Sequence, residues 1–165
     1  VKYGKYFDES ARVSDKASIE VSSRGTNTVL GKNCVVDDFV KIKHVGGSGD
    51  IIIGDNVYLN SCTVIYSGNG VKIGSNTAIG PNTSIVPINH KFEDKTKLIS
   101  EQRFADSKGG IVIEEDVWIG AGVTILDGAY IRKGAVIGAG SLVNKEIEAY
   151  SINVGSPCRK VGSRQ

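Results

Sequence analysis

The stretch from Ile113 to Val143, IEEDVWIGAGVTILDGAYIRKGAVIGAGSLV, places a branched aliphatic residue at Ile113, Ile119, Ile125, Ile131, Ile137 and Val143, five consecutive steps of six. An α-helix repeats its apolar positions every three or four residues and a half-buried strand every two, so a strict period of six fits neither as a single element. It fits short strands separated by corners, each strand turning an aliphatic residue inward and each corner taking Gly or Asn. A unit of this kind cannot bury its apolar face alone, so the repeat predicts stacked coils that share one core.

The same register recurs upstream as Leu30, Val36, Ile42, then Ile53, Leu59, Ile65, then Ile73, Ile79, Ile85. The step from Ile53 to Ile73 is 20 residues, a coil of 18 plus two, and the step from Ile73 to Ile113 is 40, a coil of 18 plus an insertion of 22. The insertion begins KFEDKTKL at Lys91, is charged throughout and has no hexad register, so a loop leaving the coil after His90 is predicted over 91–112. Long loops in compact domains are usually functional. The steps from Ile19 to Leu30 and from Ile42 to Ile53 are 11 residues each and contain Gly25 and Gly46 to Gly49, which predicts bulged corners. The expectation is a single all-β domain over 1–165, with five to seven coils over about 13–147, the lid loop, and a tail over 148–165.

Glycine accounts for 21 of 165 residues, nearly twice the usual ~7%. With 3 Pro and 40% hydrophobic residues the chain is neither collagen nor a disordered linker. A formal net charge of +2 gives bulk electrostatics no purchase on nucleic acid or an anionic membrane surface. Cys34, Cys62 and Cys158 are odd in number and widely spaced, matching neither a disulfide framework nor a zinc site, and read as reduced core residues. Val1 to Ser10 lacks the apolar run of a signal peptide, and no stretch approaches the ~18 apolar residues of a spanning helix. These features predict a soluble, cytoplasmic protein.

Hexads such as Ile73-Gly74-Ser75-Asn76-Thr77-Ala78 and Ile137-Gly138-Ala139-Gly140-Ser141-Leu142 resemble those of the hexapeptide-repeat acyltransferases. The run from Val112 to Lys145, the NHKFED at Asn89 to Asp94 and the YSINVGSPCRKV at Tyr150 to Val161 are similar to galactoside, maltose and polysaccharide O-acetyltransferases, with coverage of about residues 30–161. The resemblance implies a left-handed parallel β-helix, overriding the right-handed rule for parallel crossovers. It also implies a homotrimer with active sites between subunits, acetyl-CoA as co-substrate, no metal, and transfer of acetyl to a sugar hydroxyl of a surface polysaccharide or its precursor.

Site residues follow from position and from that resemblance. His90 stands where the register breaks, and an imidazole with an ordinary pKa of ~6.5 suits a general base for a hydroxyl; the resemblance assigns it that role. His44, the other histidine, is expected at the surface. Asn60, 30 residues before His90, matches an acceptor-binding Asn, with Tyr58 and Trp118 as aromatic walls. The resemblance places Ala121 where a backbone N–H faces the oxyanion or thioester and Ala139 beside the pantetheine arm. It places Asn144, Lys145 and Arg159 near the nucleotide end of the coenzyme, where cations meet phosphate. An acidic acceptor contact of the galactoside enzyme aligns near Gly68, and a coenzyme Arg aligns with Gly162, with Arg164 as its substitute. Gly120, Gly122, Gly138 and Gly140 crowd the stretch where the coenzyme arm is expected to pass, so some of this glycine excess is expected to give a ligand clearance as well as to turn the chain. Glu93 and Asp94 follow His90 closely but are read as ordering the loop, with no His–carboxylate dyad.

Three other readings are compatible with a stacked coil. A zinc-dependent carbonic anhydrase of this shape needs three histidines, and the chain has two. An N-acetyltransferase acting on an amino sugar nucleotide would present the same coils. A non-catalytic β-helix scaffold would bind no acetyl-CoA.

Overall fold

Each hexad forms a strand of two or three residues because only one side of so short a segment can face the interior before the chain must turn. The computed structural model describes residues 4–165; Val1, Lys2 and Tyr3 of the expected domain lie outside the described residues. The first coil comprises β1 (Lys5–Phe7), β2 (Arg12–Val13) and β3 (Ser18–Ile19), and the second β4 (Thr28–Leu30), β5 (Val35–Val36) and β6 (Lys41–Lys43). The third is β7 (Ile51–Ile53), β8 (Tyr58–Leu59) and β9 (Val64–Tyr66), and the fourth β10 (Val71–Ile73), β11 (Ala78–Ile79) and β12 (Ser84–Val86). After the lid, which holds the single turn α1 (Ile99–Gln102), the fifth coil is β13 (Ile111–Ile113), β14 (Trp118–Ile119) and β15 (Thr124–Leu126). The sixth is β16 (Tyr130–Ile131), β17 (Val136–Ile137) and β18 (Leu142–Val143). β19 (Glu146–Ile147) and β20 (Ser151–Val154) begin a seventh, and β21 (Arg159–Ser163) folds back antiparallel on β20.

Every third strand pairs in parallel, giving three sheets that wall a left-handed β-helix. The sequence registers become the interior columns. In the first sheet Leu30, Ile53, Ile73, Ile113, Ile131 and Ile147 stack in successive coils. Val36, Leu59, Ile79, Ile119 and Ile137 do so in the second, and Ile42, Ile65, Ile85, Ile125 and Val143 in the third. Ile113 through Val143 in the six-residue series are each at most 1% exposed. The residue two before each is buried as well and is often small or a threonine, whose hydroxyl caps a backbone carbonyl: Thr77 donates to Glu114 (3.2 Å) and Thr83 to Gly120 (3.2 Å). Among the described residues no buried side-chain polar atom lacks a partner.

The 11-residue steps are enlarged corners between the third and first sheets, as their glycines predict. The inserted segment spans 87–110, ending earlier than expected because Ile111 and Val112 already pair with Val71 and Lys72. In the tail over 148–165, β20 joins β17 and β21 joins β20. No helix among the described residues is long and apolar enough to cross a membrane.

The glycines divide into two kinds. The left-handed corner position is filled mainly by Asn33, Asn56, Asn76 and Asn82, at φ 54° to 59°, and by Gly122, Gly134 and Gly140. Where a glycine follows an inward aliphatic residue it has a different reason: a Cβ on Gly120 would lie 2.6 Å from the Ala139 nitrogen of the next coil. A Cβ on Gly138 would meet the Val154 side chain. Gly120 and Gly138 therefore serve coil-to-coil approach, while Gly122 and Gly140 face open space.

Two further expectations are corrected. Cys62 is exposed at a corner (φ 63°), while Cys34 and Cys158 are buried. His44 is 8% exposed rather than a surface residue, because its ring is held against Thr26 of the preceding enlarged corner and Thr28 of β4. Its Nδ1 lies 2.7 Å from Thr26 Oγ1 and its Nε2 3.0 Å from Thr28 Oγ1. A neutral imidazole donates from one nitrogen and accepts at the other, so two hydroxyls satisfy it without charge. Burial pushes its pKa down, against smaller opposing pulls from Glu20 and Asp50.

Two outcomes follow. Gly120→Ala should destabilise the fold by about 1–3 kcal/mol, since the obstacle is backbone that cannot rotate away, as read by denaturant unfolding. For His44 the folded state resists protonation more than the unfolded one, so its contribution is complete above ~6.5, the unfolded value, and is lost as pH falls toward the folded pKa. The thermal midpoint should drop on acidification below that point, and His44→Gln should flatten the slope.

Candidate functional site

The lid leaves the third sheet as Pro87-Ile88-Asn89-His90 and returns beside itself. The Ala105 N–H donates to the Asn89 carbonyl (2.8 Å), the Lys91 N–H donates to the Arg103 carbonyl (3.0 Å), and His90 bridges Phe104 in antiparallel fashion. The returning strand is tied down by Asp127, which accepts from the N–H groups of Lys108 (2.8 Å) and Gly110 (2.9 Å) and from Asn69 Nδ2 (3.0 Å). The departing strand seats on glycines, with the Ile88 side chain occupying the place a Cβ would take on Gly46. A Cβ on Gly68 would lie 2.6 Å from the Pro87 carbonyl oxygen. That close approach is the physical reason a side chain is missing where the resemblance expects an acidic residue.

The His90 imidazole is exposed and packs against the Phe104 ring, centroids 4.9 Å apart and planes tilted by 42°. Neither of its nitrogens is hydrogen-bonded among the described residues. The nearby carboxylates are engaged elsewhere, as the sequence predicts. Asp94 accepts from the Thr96 hydroxyl (2.6 Å) and N–H (3.0 Å) and pairs with Lys97 (3.1 Å), contacts that hold its pKa below the ordinary value. Glu93 accepts from the Phe92 N–H (3.0 Å).

The remaining predicted residues fall on two edges of the third sheet. Asn60, Ala121 and Ala139 occupy the corner where the chain enters that sheet, in the third, fifth and sixth coils. Asn60 Nδ2 donates to the Ile79 carbonyl (2.7 Å) and its own carbonyl accepts from Thr63 (2.7 Å), so the side chain shapes the corner and only its Oδ1 remains open. Ala121 and Ala139 are exposed, and their N–H groups carry no hydrogen bond among the described residues. Beside this corner Tyr58 (49% exposed) and Trp118 (60%) stand in one outward row of the second sheet, flanking Ala78. His90, Asn144 and Lys145 lie at the opposite edge, where the chain leaves the third sheet. The two edges are separated by about six residues of extended chain, on the order of 20 Å, so one chain does not bring His90 to Asn60 or Ala121. Arg159 is exposed on β21, its Nη1 donating to the Cys158 carbonyl (3.0 Å).

Sequence reasoning missed three features here: Phe104, Asp127, and a cavity of about 250 Å³ at the lid root lined by Asn89, Lys108, Asp127 and Asn144 among others. The charged pattern of the insertion carries no signal for any of them, because all three depend on how the lid folds back.

Comparison with known proteins gives this arrangement a context. The pattern of the bacterial transferase hexapeptide (six repeats) family matches residues 110–145. The chain is 32% identical over 129 residues to galactoside O-acetyltransferase of Lactococcus lactis, covering 78% of this chain and 59% of that protein. It is 33% identical over 140 residues to the putative lipopolysaccharide biosynthesis O-acetyl transferase WbbJ of Escherichia coli, covering 82% and 68%. It is 49% identical over 117 residues to a probable macrolide acetyltransferase of Lysinibacillus sphaericus, covering 68% and 62%. Among solved structures, a variant of AntD, an N-acyltransferase from Bacillus cereus in complex with dTDP-4-amino-4,6-dideoxyglucose and coenzyme A, superposes with a TM-score of 0.79 at 25% identity, covering 98% of this chain and 84% of that one. The chain spans less than two thirds of the length of the first of these relatives. Its hexad columns, its matched repeats and its extended identity to proteins built the same way together make it a member of the bacterial hexapeptide-repeat transferase family.

Proposed function

We propose that the chain carries out acetyl-CoA-dependent O-acetylation of a sugar hydroxyl, of a surface polysaccharide or its precursor. The observation that carries this reading is the His90 imidazole, exposed at the root of an ordered lid with both nitrogens open. The galactoside and lipopolysaccharide relatives support the acceptor class. Three unpaired cysteines fit a reducing compartment, the cytoplasm.

Because His90 and Ala121 lie on opposite edges of one sheet, a complete site forms where the exit edge of one chain meets the entry corner of another. The resemblance to the trimeric hexapeptide-repeat O-acetyltransferases supports a homotrimer as the assembly that brings these edges together. Acetyl-CoA supplies the acyl thioester. Lys145 and Arg159, neither in an ion pair among the described residues, hold its phosphates beside Asn144, and the small Ala139 leaves room for its arm. Asn60 Oδ1, Tyr58 and Trp118 hold the sugar. His90 takes the hydroxyl proton as that oxygen attacks the acyl carbon, the Ala121 N–H faces the carbonyl oxygen as charge develops, and His90 returns the proton to the departing sulfur.

A second reading, N-acylation of an amino sugar nucleotide, is favoured by the likeness to AntD along 98% of the chain. A panel of sugars and sugar nucleotides assayed for thiol release decides between the two, since an O-acetyl product is cleaved by mild alkali and an N-acetyl product is not. Calorimetry that found no acetyl-CoA binding at millimolar concentration would instead leave a scaffold. Removal of the base should lower kcat by about 10² to 10⁴ in His90→Ala with acetyl-CoA affinity retained, and undiminished thiol release by that variant would sink the assignment.

A further inference from the structure

We propose that Phe104 is the positioning residue for the His90 imidazole, holding the ring at the lid root by packing while neither ring nitrogen is used for a hydrogen bond among the described residues. The inference rests on the reading of His90 as general base and concerns how that base is aimed.

The backbone of His90 is pinned on every side. Its N–H donates to Asn89 Oδ1 (2.9 Å), and the pairs Ala105 to Asn89 and Lys91 to Arg103 bracket it (2.8 and 3.0 Å). These bonds set the direction of the Cα–Cβ bond and nothing beyond it. A catalytic imidazole is ordinarily oriented through a hydrogen bond to one ring nitrogen, and here no such bond exists among the described residues. Glu93 and Asp94, the carboxylates nearest in sequence, are bound to Phe92, Thr96 and Lys97.

Phe104 lies directly across the antiparallel bridge, where Cβ atoms of facing residues stand about 4.5–5.5 Å apart. The chain reaches this register through Arg103, whose φ of 61° turns it out of α1 and back along the departing strand. The two rings then meet at 4.9 Å and 42°, within the range of favourable aromatic pairs. Packing of this kind restricts both side-chain torsions of the histidine while leaving its nitrogens to the substrates. An aromatic ring also suits the imidazolium formed in turnover, because its electron-rich face attracts a neighbouring cation. An aliphatic residue would supply bulk without that attraction.

The test uses Phe104→Leu, Phe104→Tyr and His90→Ala in the full chain. His90 and His44 are the two histidines, so their ring-proton resonances form two assignable sets. In Phe104→Leu the His90 set should shift as the ring current is lost while the His44 set stays in place. Its kcat should fall about ten- to hundredfold, with both KM values unchanged, and Phe104→Tyr should restore both the resonances and the rate. The proposal is overturned if Phe104→Leu leaves kcat or the His90 resonances unchanged, or if Phe104→Tyr is as slow as Phe104→Leu. A slow His90→Ala beside a fast Phe104→Leu overturns the positioning role alone, whereas a fast His90→Ala overturns the general base and this role together.

Discussion

Successive coils are locked at the spacing of parallel strands, about 4.8 Å, and almost everything else in the molecule is a consequence. At that spacing each interior column must present one branched aliphatic residue per coil, since a bulkier side chain would overlap its neighbours and a smaller one would leave a void. The same spacing brings corner backbones into contact, which is why Gly120 has no room for a Cβ. It also stacks identical corner residues. Asn33, Asn56 and Asn76 form a ladder of side-chain amides, 3.3 and 3.0 Å apart, along one edge of the prism.

A core filled this way leaves no interior volume for chemistry. Polar groups that enter it, such as Thr77, Thr83 and the His44 ring, are fully paired and serve the fold. The groups left open for chemistry are at the corners and at the one place where the coil is interrupted. At the corners a tight turn leaves N–H groups unpaired, as at Ala121 and Ala139. At the interruption, Asp127 and the glycines at 46 and 68 fasten the two strands of the lid to the coils above and below. The proposed site residues thus sit on rigid supports at two edges, and the width of one sheet keeps those edges apart.

How legible this was depended on whether a residue's neighbour was set by the repeat. Ile53, Ile73 and Ile113 pair in the register their spacing predicts, because a coil of 18 to 20 residues leaves no other solution. The loss of register after His90 likewise marked the lid. His44 is buried against expectation because its ring bonds to Thr26, in an enlarged corner outside the hexad pattern, and to Thr28 at the start of β4, contacts its own local sequence does not signal. Asn60 was recognised by its spacing from His90, yet its amide nitrogen is engaged by the Ile79 carbonyl, a contact that arises one coil away.

The sequence by itself determined the coil, its three walls and the position of the interruption, because inward packing at a fixed rise admits one residue class at one period. The tertiary structure alone decided which glycines make room for backbone and which for an open corner, since both kinds read the same in a hexad. It also decided that Phe104 faces His90 and that Asn60 and His90 occupy different edges. Those relations depend on the path of a loop without periodicity and on the width of a folded sheet, and neither is encoded in local spacing.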